Sequence, residues 1–222
     1  MKKYFLILGL LFVVSCKRAE AEPVGFNFYF ENLQPINDSE LTKFPNKFQG
    51  LFMNSDSVCI CIKENLIFKE YYDKFRFHKT ELDSIKGDFD FVGNKYISKL
   101  NKKVYDYKYV KDSIEFSNKH IDTFFIFSNT QKAKRFDGQL VLNYKDSIFW
   151  KIKSIRLEKN HLKIKYIYSN EDLKRIDSVT KVKSKIIDSS SYIISPSRNE
   201  FKHILNLKKL GEELEYKKIF NF

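Results

Sequence analysis

Two short groupings in this sequence carry side chains that could do chemistry. Ser178 and Lys181 have the Ser-x-x-Lys spacing, in which a lysine amine helps to deprotonate a serine nucleophile. Asp88 and Asp90 alternate in an extended segment, so both carboxylates would share one face and could bind calcium or act as an acid and a base. We interpret the serine-lysine pair as chance, because it lies in a β-like stretch with no later Lys-Thr-Gly, and the aspartates as solvated carboxylates beside a turn.

Cys59 and Cys61 lie in an alternating stretch, residues 57–62, that is typical of a strand. Residues i and i+2 of a strand point to the same face about 6.5–7 Å apart, at or beyond the reach of a disulfide. The 4 histidines, scattered along the chain, show no ligand spacing near these thiols. We therefore predict two buried thiols, no metal and no other cofactor.

A third pattern, Asp-Ser followed by Val or Ile, recurs along the chain. Its serines are Ser57, Ser84, Ser113, Ser147 and Ser178. Aspartate can close a turn by accepting a hydrogen bond from the backbone two residues later, and a β-branched residue suits the start of a strand. We interpret each string as a turn that leads into a strand.

The remaining motifs of catalysis are missing from the sequence. It contains no Gly-x-Ser-x-Gly, no glycine-rich phosphate loop, no His-Glu-x-x-His and no Cys-x-x-Cys. We therefore expect that the chain is not an enzyme. The alternative is a hydrolase whose catalytic residues come together from distant strands.

The first sixteen residues have a basic start at Lys2 and Lys3, a short apolar run and the sequence Val13-Val14-Ser15-Cys16. This arrangement describes an export signal, and the run is too short to span a bilayer comfortably as a permanent helix. The segment resembles a bacterial lipoprotein signal with its lipobox. The resemblance implies cleavage before Cys16 and diacylglycerol on the Cys16 sulfur, which would hold the protein on a membrane surface.

The signal divides the chain into three parts. Residues 1–15 would be a cleaved signal peptide, residues 16–23 a lipidated tether, and residues 24–222 a single domain. The whole chain carries a net charge of +12, which suits nucleic acid, an anionic glycan or an acidic lipid. We expect no nucleic-acid partner, because the protein is exported, and prefer a lysine-rich solvated surface.

Composition and alternation predict a mainly β fold. The chain has 22 Phe and 13 Tyr but only 7 Gly and 4 Pro, which favours strands over disorder. Alternating segments include residues 104–110 and 162–168, the second with one apolar and one largely polar face. We predict antiparallel meanders that form a sandwich or a half-open barrel.

Helix signals are few and lie late in the chain. Ser197 and Glu200 have the spacing of a capping box, and Phe201, Ile204 and Leu205 would form an apolar face, so we predict a short C-terminal helix that Gly211 ends. Residues 170–176 predict another short helix. The residues after Gly211 are expected to dock as an edge strand or a second helix.

With the lipobox, the Asp-Ser strings and a repeated Phe-x-Gly before a meander, the chain resembles small β-rich lipoproteins of the Bacteroidota cell envelope. The resemblance implies O-glycosylation at the five serines, because Asp-Ser/Thr-aliphatic is the sequon of exported proteins in that group. Many surface-displayed lipoproteins there carry acidic residues almost directly after the lipidated cysteine, whereas Lys17 and Arg18 follow Cys16 here. We therefore expect a periplasm-facing anchor in the outer membrane.

Three hypotheses for function follow. The first is a non-enzymatic binding or accessory lipoprotein that holds an envelope protein, a glycan or a lipid on an aromatic-rich sheet face. The second is the envelope hydrolase with a site assembled from distant strands. The third is an immunity lipoprotein against an interbacterial toxin.

Overall fold

The computed structural model describes residues 23–93 and 95–221 of the chain. Strands hold 52% of the residues and helices 15%, so the prediction of a mainly β, antiparallel fold with a short helix near the C-terminus is confirmed. Cys16 and its signal sequence lie outside the described residues. Within the described residues, no helix is both long and apolar enough to cross a membrane.

The chain divides into two compact units, and β5 and β9 contribute to both. The small unit is Tyr72–Lys119; the described part of the large unit is residues 23–71 and 120–221. The helices are α1 (Leu82–Ile85), α2 (Asn170–Val179) and α3 (Arg198–Leu205). The strands are β1 (Asn27–Phe30), β2 (Glu40–Leu41), β3 (Gly50–Met53), β4 (Cys59–Ile62), β5 (Leu66–His78), β6 (Phe89–Val92), β7 (Lys95–Ser98), β8 (Val104–Val110), β9 (Ser113–Ile126), β10 (Gln131–Phe136), β11 (Gln139–Asp146), β12 (Phe149–Glu158), β13 (His161–Tyr166), β14 (Lys185–Asp188), β15 (Ser191–Ile194) and β16 (Glu212–Phe220). The single domain over residues 24–222 stays a prediction.

The sheet of the large unit has the order β14-β15-β1-β12-β13-β16-β3-β4-β5. β11 pairs with one edge of β12, and both β1 and β13 pair with its other edge, β1 at Trp150 and β13 from Ser154 onward. β10 joins β11 to the short β2. β1 and β15 run parallel, whereas the other registered pairs are antiparallel. β16 lies between β13 and β3, so the expectation of a docked edge strand or helix after Gly211 is wrong.

Two apolar clusters lie on opposite faces of β11 in the large unit. Leu140 and Leu142 belong to a cluster made mainly of strand residues, and Val141, between them, belongs to a second cluster that α2 and α3 cover. Because adjacent strand residues point to opposite faces, β11 is buried on both sides. Its Asn143 is fully buried on the Val141 face and exchanges two hydrogen bonds of 2.8 Å with the backbone of Gln34.

The two later helices begin at capping boxes. Ser197 and Glu200 cap α3, as the spacing predicts, and the apolar face of Phe201, Ile204 and Leu205 is buried. Ser169 and Asp172 cap α2, which continues to Val179. Gly211 does not end α3; it lies in the turn before β16 with φ of +66°.

The small unit is a five-stranded antiparallel arrangement in the order β5-β9-β8-β7-β6. β8 covers the predicted segment, residues 104–110. Its alternation places Tyr105, Tyr107 and Tyr109 on one face of the sheet and charged residues on the other.

Candidate functional site

The five Asp-Ser strings do not share one local structure. Ser57 and Ser147 lie in turns directly before a strand, both with positive φ, and Ser113 begins β9. Ser84 and Ser178 instead lie in α1 and α2, so the interpretation as a turn leading into a strand is wrong for these two. In the helices the serine hydroxyl donates to a backbone carbonyl three residues earlier, which helix geometry brings within reach. All five serines except the half-buried Ser113 are exposed.

The serine-lysine pair does not lie in a β-like stretch. Ser178 is in the last turn of α2, and its hydroxyl donates to the carbonyl of Arg175 at 2.6 Å. Lys181 lies just beyond the helix, where its backbone N–H donates to the Glu200 carboxylate at 2.6 Å. That bond and those from Ser197 lower the pKa of Glu200 to about 2. These contacts stabilise the C-terminal end of α2 and the N-terminal end of α3.

The two aspartates are both exposed in the small unit. Asp88 ends a 3₁₀ turn, and its backbone carbonyl accepts the backbone N–H of Lys99, whereas the Asp90 carboxylate lies 3.6 Å from the Lys99 ammonium. In the described part of the chain, no three His, Cys, Asp or Glu side chains come together to hold a metal ion.

Neither Cys59 nor Cys61 of β4 forms a disulfide. Cys61 is buried, as predicted, while Cys59 is half-buried. They lie on the face opposite the core residues Ile60 and Ile62. Burial raises the pKa of the Cys61 thiol, which keeps it protonated and unreactive near neutral pH.

A pocket of about 440 Å³ opens in the large unit where β1 and β13 diverge along β12. Trp150 pairs with Phe30 of β1 and Ser154 pairs with Lys165 of β13, which leaves a gap beside Lys151–Lys153. Its lining residues are Pro23, Val24, Gly25, Phe26, Asn27, Phe28, Phe30, Lys151, Ile152, Lys153, Tyr166, Ile167 and Tyr168. Among the described residues that line it, there is no serine, cysteine, histidine or carboxylate.

Both lysines of this pocket are held by neighbours. The Lys151 ammonium lies 3.0 Å from the Asp146 carboxylate and 4.8 Å from the centre of the Tyr29 ring. Burial alone would lower the pKa of Lys151, but hydrogen bonding with Asp146 and Tyr29 outweighs it and raises that pKa. The Lys153 ammonium lies 4.7–5.3 Å from the centres of three rings, those of Phe124, Tyr144 and Tyr166.

One face of the small unit is lined with aromatic rings. This aromatic face consists of Phe75, Phe77, Phe89, Phe91, Tyr96, Tyr105, Tyr107, Tyr109 and Phe116. Its centre is covered, since Phe116 is fully buried and Tyr105 is 9% exposed. Its periphery is open, since Phe91 is 58% and Tyr109 65% exposed.

The open part of this face is a connected group of four rings, which we call the aromatic rim: Phe91, Tyr96, Tyr107 and Tyr109. The ring centres of Phe91 and Tyr96 are 5.2 Å apart, those of Tyr96 and Tyr107 5.0 Å, and those of Tyr107 and Tyr109 5.9 Å. Burial, followed by the neighbouring Tyr109 and Tyr107, raises the pKa of Tyr96, so its hydroxyl stays protonated and able to donate.

The opposite face of the same sheet is charged and paired. Glu115 lies 2.6 Å from Arg76 and 2.9 Å from Lys108, and Lys95 lies 3.5 Å from Asp106. Hydrogen bonds from Arg76 and Lys108 lower the pKa of Glu115. Residues 104–110 are predicted as a strand from the sequence, but that prediction does not single out the tyrosines. Their alternation with Asp106 and Lys108 is the signal that marks the aromatic face.

Compared with known proteins, the chain matches no protein-family model, no curated protein and no solved structure.

Proposed function

We propose that this chain is a non-enzymatic binding protein of the bacterial envelope, held by lipid on Cys16 at the periplasmic side of the outer membrane, and that it binds another envelope protein through the aromatic rim. The observation that carries the binding role is the rim itself. Two large rings are more than half exposed at the end of a packed aromatic row.

Several properties of the rim support a protein partner. Tyrosine and other aromatic residues are enriched at the centres of protein interfaces, because they bury much area and lose little conformational freedom. Phe91 offers a flat apolar surface and Tyr107 and Tyr109 add hydroxyl groups. The ion pairs of β8, which use Asp106 and Lys108, lie on the opposite face, so the rings present an uncharged centre.

The pocket of the large unit supports a catalytic role less well than the rim supports binding. A hydrolytic site needs a nucleophile or an activated water with an acid or a base close by. The described lining of the pocket offers lysines and tyrosines without such a pair, and Lys151 is already engaged with Asp146. Ser178, Lys181, Asp88 and Asp90 do not line it.

The test begins with a photo-crosslinking amino acid placed at position 91, or at position 92 as the matched control, in the full chain in its own cells. Val92 is adjacent, 60% exposed and on the other face of β6. We expect one defined crosslinked species from position 91 and none from position 92. Equal crosslinking from both positions would contradict the rim as the contact surface.

The partner protein identified in the crosslinked species is then purified without crosslinking. It is titrated calorimetrically against the wild type, Phe91→Asp and Val92→Asp. Both substitutions replace an exposed apolar residue of β6 by the same charge. We expect one-to-one binding that Phe91→Asp weakens at least tenfold, and that Val92→Asp changes less than twofold. Unchanged affinity in Phe91→Asp would refute the proposal.

A further inference from the structure

The end strand of the large unit exposes two isoleucines. β14 pairs with β15 and ends the strand order, and all of its residues are exposed. Ile186 is 74% and Ile187 44% exposed. A strand edge with uncovered isoleucines promotes association, and soluble proteins usually cover or charge such an edge.

Ile186 extends the apolar face of the large unit beyond the part that α2 and α3 cover. It pairs with Tyr192 of β15, which in turn pairs with Phe28 of β1. The rings of Phe28 and Tyr192 are stacked with centres 6.1 Å apart, and Phe28 is 5% exposed. The apolar row therefore runs across β1, β15 and β14 from the buried core to the solvent-exposed edge strand.

The N-terminal segment joins the large unit beside this edge. The backbone N–H of Asn27, the first residue of β1, donates to the carbonyl of Ser190 at 2.8 Å, in the turn between β14 and β15. Val24 comes three residues earlier and is 91% exposed. A tether from Cys16 to Pro23 reaches at most about 30 Å when fully extended. A lipid on Cys16 would thus keep this edge close to a bilayer.

Three lysines lie within β14 or shortly before it in the chain. Lys181 and Lys185 are exposed, and Lys183 donates to backbone carbonyls at the end of α2. Carboxylates lie near these lysines as well: Asp177 accepts from Ser184, Asp188 accepts from Ser190, and Glu200 accepts the backbone N–H of Lys181. Lysines beside exposed apolar residues are the combination that binds the headgroup region of anionic lipids.

We propose that the edge formed by Val24, Lys185, Ile186 and Ile187 is a membrane-contact surface, which rests against the anionic bilayer that holds the anchor. The proposal rests on lipidation at Cys16. It fixes which side of the large unit faces the membrane.

The test measures contact with lipid by quenching of tryptophan fluorescence. The one tryptophan of the chain, Trp150, is replaced by Phe, and a new tryptophan is placed as Ile186→Trp or, as a matched control, Ile148→Trp. Ile148 is 72% exposed and lies in the turn before β12, where Trp150 pairs with Phe30 at the other end of β1. The full lipidated chain is purified from cells and reconstituted into vesicles of phosphatidylethanolamine and phosphatidylglycerol with brominated acyl chains.

Flotation of the vesicles reports the anchor, and quenching reports the contact. We expect the chain to float and bromine quenching to be at least threefold stronger at position 186 than at position 148. Adding Lys181→Glu and Lys185→Glu should halve the quenching at position 186 without changing flotation.

Three results would overturn the inference. Flotation with equal quenching at positions 186 and 148 removes the contact surface but leaves the anchor. Absence of flotation removes the anchor and, with it, this orientation. A concentration-dependent dimer that Ile186→Asp abolishes, together with no quenching, assigns the edge to a second copy of the chain.

Discussion

Asp172 is the side chain whose replacement tests the packing of the large unit most directly. It is 2% exposed, and its carboxylate accepts hydrogen bonds from the backbone N–H groups of Tyr168, Ser169 and Gly211 and from the Ser169 hydroxyl, at 2.7–3.2 Å. These bonds connect the start of α2 to the turn before β16. One carboxylate therefore holds together two segments that lie far apart in the sequence.

The expected loss of unfolding free energy follows from the hydrogen bonds of these four donors. Asp172→Asn keeps the shape but replaces one acceptor oxygen by an amide that faces N–H groups. A hydrogen bond to a charged group contributes about 1.5–3 kcal/mol, and a buried donor left without an acceptor costs about 1–3 kcal/mol. With partial relaxation, we expect Asp172→Asn to lower the free energy of unfolding of the large unit by about 2–3 kcal/mol at pH 7.

The pH dependence gives an independent check of the same interaction. Burial raises the pKa of Asp172, but the hydrogen bonds from Gly211, Ser169 and Tyr168 outweigh it, so the pKa lies below its ordinary value. The stabilisation is then fully present above the unfolded pKa of about 4 and is lost as the pH falls through the folded pKa. The difference between wild type and Asp172→Asn should be constant from pH 5 to 7 and shrink below pH 4.

Urea unfolding followed by the fluorescence of Trp150, which belongs to the large unit, measures this difference. Glu171→Gln is the matched control. Glu171 lies next in the chain, is exposed, and has its carboxylate 2.8 Å from the Lys174 ammonium, so its change should be small. A loss below about 1 kcal/mol in Asp172→Asn, or a difference that does not shrink in acid, would refute the reasoning.

Three further predictions use other features. Gly211→Ala should lower the melting temperature and cost more than about 2 kcal/mol in a urea titration, because φ is +66° and a Cβ would lie 2.2 Å from a backbone carbonyl oxygen; a neutral variant contradicts this. Intact mass without reductant should show Cys59 and Cys61 as free thiols, with Cys59 alkylated first, since Cys61 is buried; a loss of 2 mass units, about two hydrogens, would instead reveal a strained disulfide. Peptide mapping of protein from its own cells should find sugar on the exposed serines Ser57 and Ser147, and unmodified peptides there would remove the proposed glycosylation.

Short-range sequence patterns predict the strands and helices that neighbouring residues specify. The tyrosines of β8 alternate with charges, and the Ser197–Glu200 spacing specifies the start of α3. Asp177-Ser178-Val179 failed as a strand signal because the capping box at Ser169 starts a helix whose Ile176 is buried in the core. Tertiary packing outweighed the β preference of Val179.

The remaining features depend on residues that are distant in the sequence. The pocket forms because β1 and β13 pair with the same edge of β12, and no short window of sequence contains that relation. The repeated Phe-x-Gly also serves two purposes: Asp137 and Gly138 make a hairpin turn with positive φ, whereas Gln49 and Gly50 lead from a 3₁₀ turn into β3. Strand order, likewise, left no local signal for the central place of β16.

The central position of β16 has a consequence for how the chain is made. β13 and β3 each need β16 to cover one edge, so the sheet of the large unit stays divided until residues 212–220 have left the ribosome. Folding of this sheet is thereby delayed until β16 has been synthesised. A chain that stops short of residue 212 would present two bare strand edges, so truncation should produce aggregates rather than a smaller folded protein.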